Sequence, residues 1–159
     1  MSILRESTAS NLKPETVSKL QMLHQANIDS AKGFEEAAKD VENAKLAADF
    51  RSWSEERSKQ AQELASLIEI NEGEVDREGS WLGDLHRSYI SLKAAITSDD
   101  EHAVLAEAER GEDHIKGAYE EVLEQCPGTA VNNTLQHQYA NVKKIHDRVL
   151  ELRDACKSC

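Results

Sequence analysis

Three polar residues lie where the helices of this chain should be apolar. Arg57, Glu112 and Asn27 fall on or beside helical stripes that otherwise consist of Leu, Val, Ile, Phe and Ala. An unpaired charge inside a helical core costs on the order of several kcal/mol. We therefore expect these residues to pair with each other, to bind a metal or to face a partner chain.

Apolar residues recur at alternating spacings of three and four along most of the 159 residues, which contain only 7 Gly and 2 Pro. This period predicts helices. The expected order is a first helix from near Pro14, a turn at 40–43, a second helix to about Ile70, a third helix capped by Ser80, a fourth that starts at the capping box of Ser98–Glu101, and a fifth from about Asn132.

These segments predict an all-α fold, an up-down helical bundle of four long helices plus one shorter helix. A single domain is expected at 13–155, with a flexible N-terminal arm at 1–12 and a C-terminal tail at 156–159. Gly73 is expected to end the second helix in the left-handed conformation. The linker at 72–79 is too short to run the length of a bundle, so the third helix either supplies the crossover or packs as an extra layer.

The charge balance limits the possible partners. Lys and Arg total 19 against 30 Asp and Glu, a net charge of -11, which argues against nucleic acid and anionic membrane surfaces. No run of about 18 apolar residues occurs, and the N-terminus has no apolar signal core. The three cysteines, Cys126, Cys156 and Cys159, do not make a disulfide framework, and 156–159 is expected to be a frayed tail with exposed thiols. These features predict an acidic cytoplasmic protein.

A ferritin-type di-iron site would need Glu-x-x-His pairs, because side chains three residues apart share one helix face. None of the six His has a Glu three residues before it, and the acidic substitute Asp99 before His102 lies at a helix start. No phosphate-binding loop and no nucleophile motif occurs either. The sequence therefore favours a non-enzymatic protein without a cofactor, with iron or another divalent metal as the alternative.

The densest polar stretch in a helix interior surrounds Glu112 of the fourth helix. One interpretation is a carboxylate–histidine metal site formed by Glu109, Glu112, Asp113 and His146. The other is a core polar network in which Arg57 forks onto Glu112 or Glu109 and His146 adds a hydrogen bond. The network is favoured, because the fixed charge of Arg57 repels a metal ion. Secondary candidates for this layer are Asn27, Asp29, His86, Asp113 and Asp147.

A stripe of small residues on the first helix suggests that another helix or another subunit covers it, although a solvated Ala-rich face is an alternative. It consists of Met22, Ala26, Ser30, Gly33 and Ala37. Asp29 lies on this face and could meet His86 of the third helix. With Trp53 and Trp81 available elsewhere, the stripe predicts a homo-oligomer, a dimer being favoured, or a complex with a protein partner.

An ordered set of short segments carries a resemblance over about residues 15–154. It consists of Asn27–Ala38, Glu56-Arg57, Gly79-Ser80, Leu85-His86-Arg87, Leu92–Ala95, Glu109–Asp113, Ala118-Tyr119, His146-Asp147 and Leu152–Asp154. With these segments the chain resembles a ferritin-like helical family known as domain of unknown function 2383. The resemblance implies a ferritin-like bundle and no catalytic residues.

Two functions follow as expectations. The first is a non-enzymatic ferritin-like bundle that acts by self-association or partner binding, with a buried polar network in its core. The alternative is a metal-binding or redox protein with a degenerate ferritin-type site of carboxylates and histidine.

Overall fold

The computed structural model describes residues 12–71, 73–75, 83–98, 100–125 and 131–156, with the backbone alone at 83–89. Within these ranges the chain forms five helices and no strand, so the all-α prediction is confirmed for this part. The helices are α1 (Pro14–Asp40), α2 (Ala44–Ile70), α3 (Gly83–Thr97), α4 (Glu101–Gln125) and α5 (Asn132–Ala155). None of the described helices has a stretch apolar and long enough to cross a membrane.

The turn between α1 and α2 is held by one side chain. Asn43 Oδ1 accepts hydrogen bonds from the backbone N–H groups of Lys45 and Leu46, at 2.9 and 3.0 Å, which satisfies donors that the first helical turn leaves unpaired. Asn43 Nδ2 donates to Glu101 Oε1 at 2.8 Å. The start of α2 therefore lies beside the start of α4.

The start of α4 differs from the expected capping box. The hydroxyl of Ser98 donates back to the carbonyl of Ala95 at 2.8 Å, and so belongs to the end of α3. The cap is Asp100, whose Oδ1 accepts from the backbone N–H of Ala103 at 3.1 Å. Asp100 directly precedes the first helical residue, and its carboxylate accepts from the third N–H, that of Ala103, so no reciprocal glutamate takes part.

Contacts between helices fix their directions. The Phe34 and Phe50 rings, with centroids 5.4 Å apart, lie near the turn that joins α1 to α2, so these two helices are antiparallel. Asn27 of α1 contacts Tyr119 of α4, and α4 is also antiparallel to α1 because its first residues lie beside Asn43. Helices α2 and α4 consequently run in the same direction, and α3 packs on α1 and α4.

Two apolar clusters make up the core. One is centred on the rings of Phe34, Phe50 and Trp53 and includes residues of all five helices. The other lies towards the start of α1 and the end of α2, with Leu20, Ile68 and other aliphatic side chains around Tyr119, and draws on α1, α2, α4 and α5. Along α1, α2 and α4 the residues between the two clusters include Asn27, Arg57 and Glu112. The predicted polar layer thus divides the apolar core.

The small-residue stripe of α1 is covered by the chain itself. Ala26 and Ala37 are 1% and 3% exposed, Gly33 is buried, and Met22 and Ser30 are half-buried. Ala37 belongs to the same cluster as Leu92 and Ala95 of α3. Another helix of the same chain, rather than another subunit, therefore lies on this face. Trp53 is buried as well, and Trp81 lies outside the described residues.

Cys156 differs from the exposed thiols predicted for 156–159, of which 157–159 lie outside the described residues. Cys156 is 8% exposed and belongs to the cluster around Phe34. It is disulfide-bonded, so it is not an exposed thiol. The sequence could not show the burial of Cys156. Cys156 follows Val142 and Val149 at heptad spacing, but the sequence does not show that α5 extends to Ala155. Residues 1–11 and Ser80 also lie outside the described residues.

Gly73 allows a close approach rather than a left-handed turn. Its φ lies outside the left-handed region, and its N–H donates to the carbonyl of Ile68 at 2.9 Å. A Cβ at this position would lie 2.7 Å from Ile68 Cγ2 and 3.0 Å from a methyl group of Val17. The glycine therefore lets the exit of α2 lie directly on α1.

We predict that Gly73→Ala lowers the free energy of unfolding by about 1–3 kcal/mol, because a buried Ile68 cannot move away without strain. Gly117→Ala is the matched control, since its new Cβ would meet nothing within 4 Å in the interior of α4. We expect this control to stabilise the protein by about 0.5–1 kcal/mol. Urea unfolding followed by circular dichroism measures both, and equal effects would contradict the close approach.

Candidate functional site

An ion pair crosses the core between α2 and α4. Arg57 Nη1 donates to Glu112 Oε2 at 2.9 Å, and Nη2 donates to Oε1 at 2.5 Å. The two side chains are 0% and 2% exposed. Two parallel hydrogen bonds between a guanidinium and a carboxylate are the geometry in which an arginine neutralises an acid best. This is the contact that the heptad positions of both residues predict.

Helix α1 completes the surroundings of the guanidinium. Ser30 Oγ accepts a second hydrogen bond from Arg57 Nη1 at 2.8 Å, and the Phe34 ring lies 5.8 Å from Cζ. The ring adds a cation–π attraction. Arg57 Nε has no hydrogen-bond partner among the described residues. Five N–H donors are thus only partly satisfied in a site that water does not reach.

A chain of neutral groups continues this layer to α5. Asn27 Nδ2 donates to the Tyr119 hydroxyl at 2.8 Å, and the hydroxyl donates to Gln138 Oε1 at 2.7 Å. Gln138 Nε2 donates to Glu63 Oε1 at 2.8 Å, which brings the chain of hydrogen bonds to the surface. Gln60 Nε2 in turn donates to the Gln138 carbonyl at 3.2 Å. Residues of α1, α2, α4 and α5 therefore meet in one connected set.

Burial keeps the Tyr119 hydroxyl protonated, as its hydrogen bond to Gln138 requires. Loss of solvation raises the pKa of its hydroxyl far above the ordinary value, although the hydrogen bond from Asn27 and the charge of Arg57 act in the opposite direction. The phenol remains protonated at all physiological pH values. It can therefore donate to Gln138 Oε1.

The rest of the predicted network is divided among outer ion pairs. Glu109 Oε1 accepts from Arg153 Nη1 at 2.6 Å and does not reach Arg57. His146 Nε2 lies 2.6 Å from Asp113 Oδ1, and its Nδ1 lies 3.2 Å from Asp147 Oδ1. Each successive residue turns by about 100° around a helix, so residues one or three positions from the seam point to its side. The network of Arg57, Glu109, Glu112 and His146 thus reduces, at its centre, to the pair of Arg57 with Glu112.

The secondary candidates have different environments. Asn27 lies in the layer, whereas Asp113 and Asp147 are exposed beside His146. Asp29 is 1% exposed and its Oδ1 accepts from Gln25 Nε2 at 2.9 Å. The side chain of His86 lies outside the described residues, so its expected contact with Asp29 stays a prediction.

Four members of the layer were not assigned a polar role from sequence. Gln60 and Gln138 occupy seam positions of α2 and α5, and an amide in an apolar seam is the signal that would have identified them. Tyr119 lies one heptad after Glu112, and its aromatic ring satisfies the apolar pattern while its hydroxyl does not. Ser30 gives no such signal, because a small residue fits the close packing of α1 equally well.

The acids and histidines of the described residues do not converge on a metal position. No group of three or more His, Cys, Asp or Glu is placed to hold an ion in this part of the chain. Of the four metal candidates, Glu112 faces a guanidinium, Glu109 faces another, and Asp113 pairs with His146. The contacts of these residues are hydrogen bonds and ion pairs, and Glu112 with Arg57 is the buried pair among them.

The chain matches the model of a known protein family over most of its length. Residues 15–125 match the model described as Domain of unknown function (DUF2383). The matched range runs from the first turn of α1 to the end of α4 and so includes Arg57, Glu112 and Tyr119, whereas Gln138 and His146 lie beyond it. No curated protein matches the chain.

We predict that Arg57→Met and Glu112→Leu each lower the free energy of unfolding by about 3–5 kcal/mol, since each leaves one buried charge without its partner. The double variant should lose much less than the sum, because no buried charge remains. Arg148→Met with Glu151→Leu is the matched control, an exposed pair at 3.3 Å that should show almost no coupling. Additive losses for Arg57 and Glu112 in urea unfolding would contradict the pair.

Tyr119→Phe should lower the free energy of unfolding by about 1–3 kcal/mol, because Gln138 Oε1 loses its buried donor. Tyr139→Phe provides the control: its hydroxyl donates to Glu120 at 2.6 Å on the surface, where water replaces the lost partner. The control should stay within about 0.5 kcal/mol of the parent. Equal effects of the two substitutions in thermal unfolding would show that the buried hydrogen bond from Tyr119 to Gln138 adds nothing to stability.

Proposed function

The chain belongs to the DUF2383 family, and on this premise we propose that it is a non-enzymatic ferritin-like helical bundle that acts by association, with itself or with a protein partner. The observation that carries the proposal is the bidentate pair of Arg57 with Glu112. It fills the middle of the helices with a neutralised pair, where a ferritin-type protein would hold two metal ions.

Helix lengths and directions support the ferritin-like part of the proposal. The four long helices are α1, α2, α4 and α5, with 24–27 residues each, and α3 has 15. Helices α2 and α4 run in the same direction, which requires a connection that spans the bundle. In ferritin-like folds one long crossover has this role, and here α3 fills it.

The partners of the carboxylates support a non-enzymatic role. If Glu112 left Arg57 to bind a metal, the guanidinium would stay unpaired in the core. Breaking a buried ion pair in this way costs on the order of several kcal/mol. Glu109 and Asp113 would likewise have to leave Arg153 and His146. These contacts disfavour the alternative of a degenerate carboxylate–histidine metal or redox site, with iron or another divalent metal.

The surface proposed for association differs from the one expected from the sequence. The small-residue stripe of α1 is occupied within the chain, so a dimer or a partner complex must use another face. The net charge of -11 favours partners other than nucleic acid. A cytoplasmic location stays a prediction.

We predict that untagged protein, purified without a metal-chelating column, contains far less than one iron, manganese or zinc ion per chain by elemental analysis. Sedimentation velocity at tens of micromolar should detect a dimer. The triple variant Glu109→Gln, Asp113→Asn, His146→Gln is the control, and its metal content should equal that of the parent. Stoichiometric metal that the variant loses would favour the alternative function, and a monomer at all concentrations would contradict self-association.

A further inference from the structure

Three residues of α5, at intervals of seven, each contact an acid of α4. The contacts, each 2.6 Å long, are Tyr139 Oη with Glu120 Oε2, His146 Nε2 with Asp113 Oδ1, and Arg153 Nη1 with Glu109 Oε1. Residues seven apart lie on the same helix face, about 10.5 Å from each other along the axis. The contacts therefore form one row along the edge where α5 packs on α4, which we call the α4/α5 row.

The middle residue of this row, His146, lies between two carboxylates. Its Nε2 faces Asp113, and its Nδ1 lies 3.2 Å from Asp147 Oδ1. A neutral imidazole has one N–H donor and one acceptor, whereas an ionised carboxylate only accepts. Only the imidazolium, with an N–H on both ring nitrogens, can donate to both acids. The side chain is 12% exposed, so water reaches the ring only in part, and the geometry is that of a protonated histidine.

The charged neighbours of His146 hold a constant charge in the pH interval in which an imidazole titrates. They are Asp113, Lys116 and Glu120 of α4, Lys143 and Asp147 of α5, and Asp49 and Glu56 of α2, which line the same groove as Asp147. Carboxylates ordinarily titrate at about pH 4 and lysines at about pH 10, whereas an imidazole titrates at about pH 6.5. The hydrogen bonds from His146 and Lys143 lower the pKa of the Asp147 carboxyl further. Among these groups, the imidazole is therefore the one that changes its charge near neutral pH.

We propose that His146 makes the attachment of α5 to α4 dependent on protonation. As an imidazolium it donates to Asp113 and Asp147 together; when its proton passes to water, the ring can donate to only one of them, and the attraction between opposite charges is lost. The contact therefore stabilises the protein at low pH, and this contribution disappears as the pH rises through the titration of the ring. The inference goes beyond the proposed function, since it holds whether or not the chain associates.

The rest of the interface limits how far this change goes. The guanidinium of Arg153 and the phenol of Tyr139 keep their protons near neutral pH, because both groups ordinarily titrate at about pH 10 or above. Val142 and Val149, both 0% exposed, hold α5 by apolar contact at any pH. Deprotonation of His146 therefore loosens the middle of α5 and does not detach the helix.

A double-mutant cycle of Asp113→Ala and His146→Ala in the full chain tests the proposal, because alanine removes each polar group and adds no new one. Urea unfolding of the four proteins is followed at about pH 5.5 and at about pH 8.5, on either side of the ordinary titration of an imidazole. A chelator in both buffers prevents a metal from joining the two residues. The other five histidines are present in all four proteins, so their titration cancels.

We expect a roughly fivefold coupling of the two substitutions in the unfolding equilibrium constant at about pH 5.5, the upper range for an ion pair near the surface. At about pH 8.5 the coupling should fall to roughly twofold or less, since a neutral ring retains at most one ordinary hydrogen bond. Glu109→Ala with Arg153→Ala is the matched control. It removes a contact of the same row and length, and its coupling should be the same at both pH values because the guanidinium keeps its charge.

Equal coupling of His146 with Asp113 at both pH values, or no coupling at the lower one, overturns the proposal. A control cycle that falls by the same factor also overturns it, since the change would then not belong to the histidine. Nitrogen-15 NMR of the unaltered chain adds a measurement that needs no variant to be stable, with His146→Ala serving only to assign the ring signal. Both ring nitrogens of His146 should carry a proton at the lower pH and one of them at the higher pH, and a neutral ring at the lower pH contradicts the proposal.

Discussion

The bidentate contact between Arg57 and Glu112 is the constraint that the packing of the other helices has to satisfy. Both groups lose nearly all their contact with water, and their mutual attraction offsets this loss only while the two hydrogen bonds stay short. The distance between α2 and α4 is therefore set by a guanidinium and a carboxylate. Helix α1 closes the site from a third direction with Ser30 and Phe34. A displacement of any of the three helices would therefore expose the two charges to water or separate them.

The apolar clusters and the polar layer have different roles. Each cluster removes large aliphatic and aromatic surfaces from water, which is the main source of stability but tolerates many arrangements. The layer between them contributes little net stability, because hydrogen bonds to water are exchanged for hydrogen bonds within the protein. Its geometry is narrow, however, and the chain from Asn27 through Tyr119 to Gln138 extends that requirement from α1 to α5. The layer favours one arrangement among those that the clusters alone would allow.

Much of the fold and the centre of the site could be predicted from the sequence. The order of the helices followed from apolar spacing, whereas the cap of α4 is Asp100 and not the expected Ser98. The contact of Arg57 with Glu112 followed from their positions in two seams. Glu109 and His146 could not be placed in the same way, because whether a residue beside a seam points inward depends on how each helix is rotated about its axis, and an arginine such as Arg153 competes for the same acid. The polar role of Tyr119 could not be predicted, because its aromatic ring fits the apolar pattern and the pattern does not show where the hydroxyl lies.

The polar layer also limits how the helices can move. Seams of Leu, Val and Ala present nearly equivalent surfaces at each turn, so helices packed through them alone could shift lengthwise by about 5.4 Å and meet similar partners. Such a shift would carry Arg57 away from Glu112 and bring it against the aromatic cluster on one side or the aliphatic cluster on the other. Lengthwise sliding therefore meets an electrostatic barrier at the Arg57–Glu112 pair. The motions left to α2 and α4 are bending towards their ends and tilting about this pair.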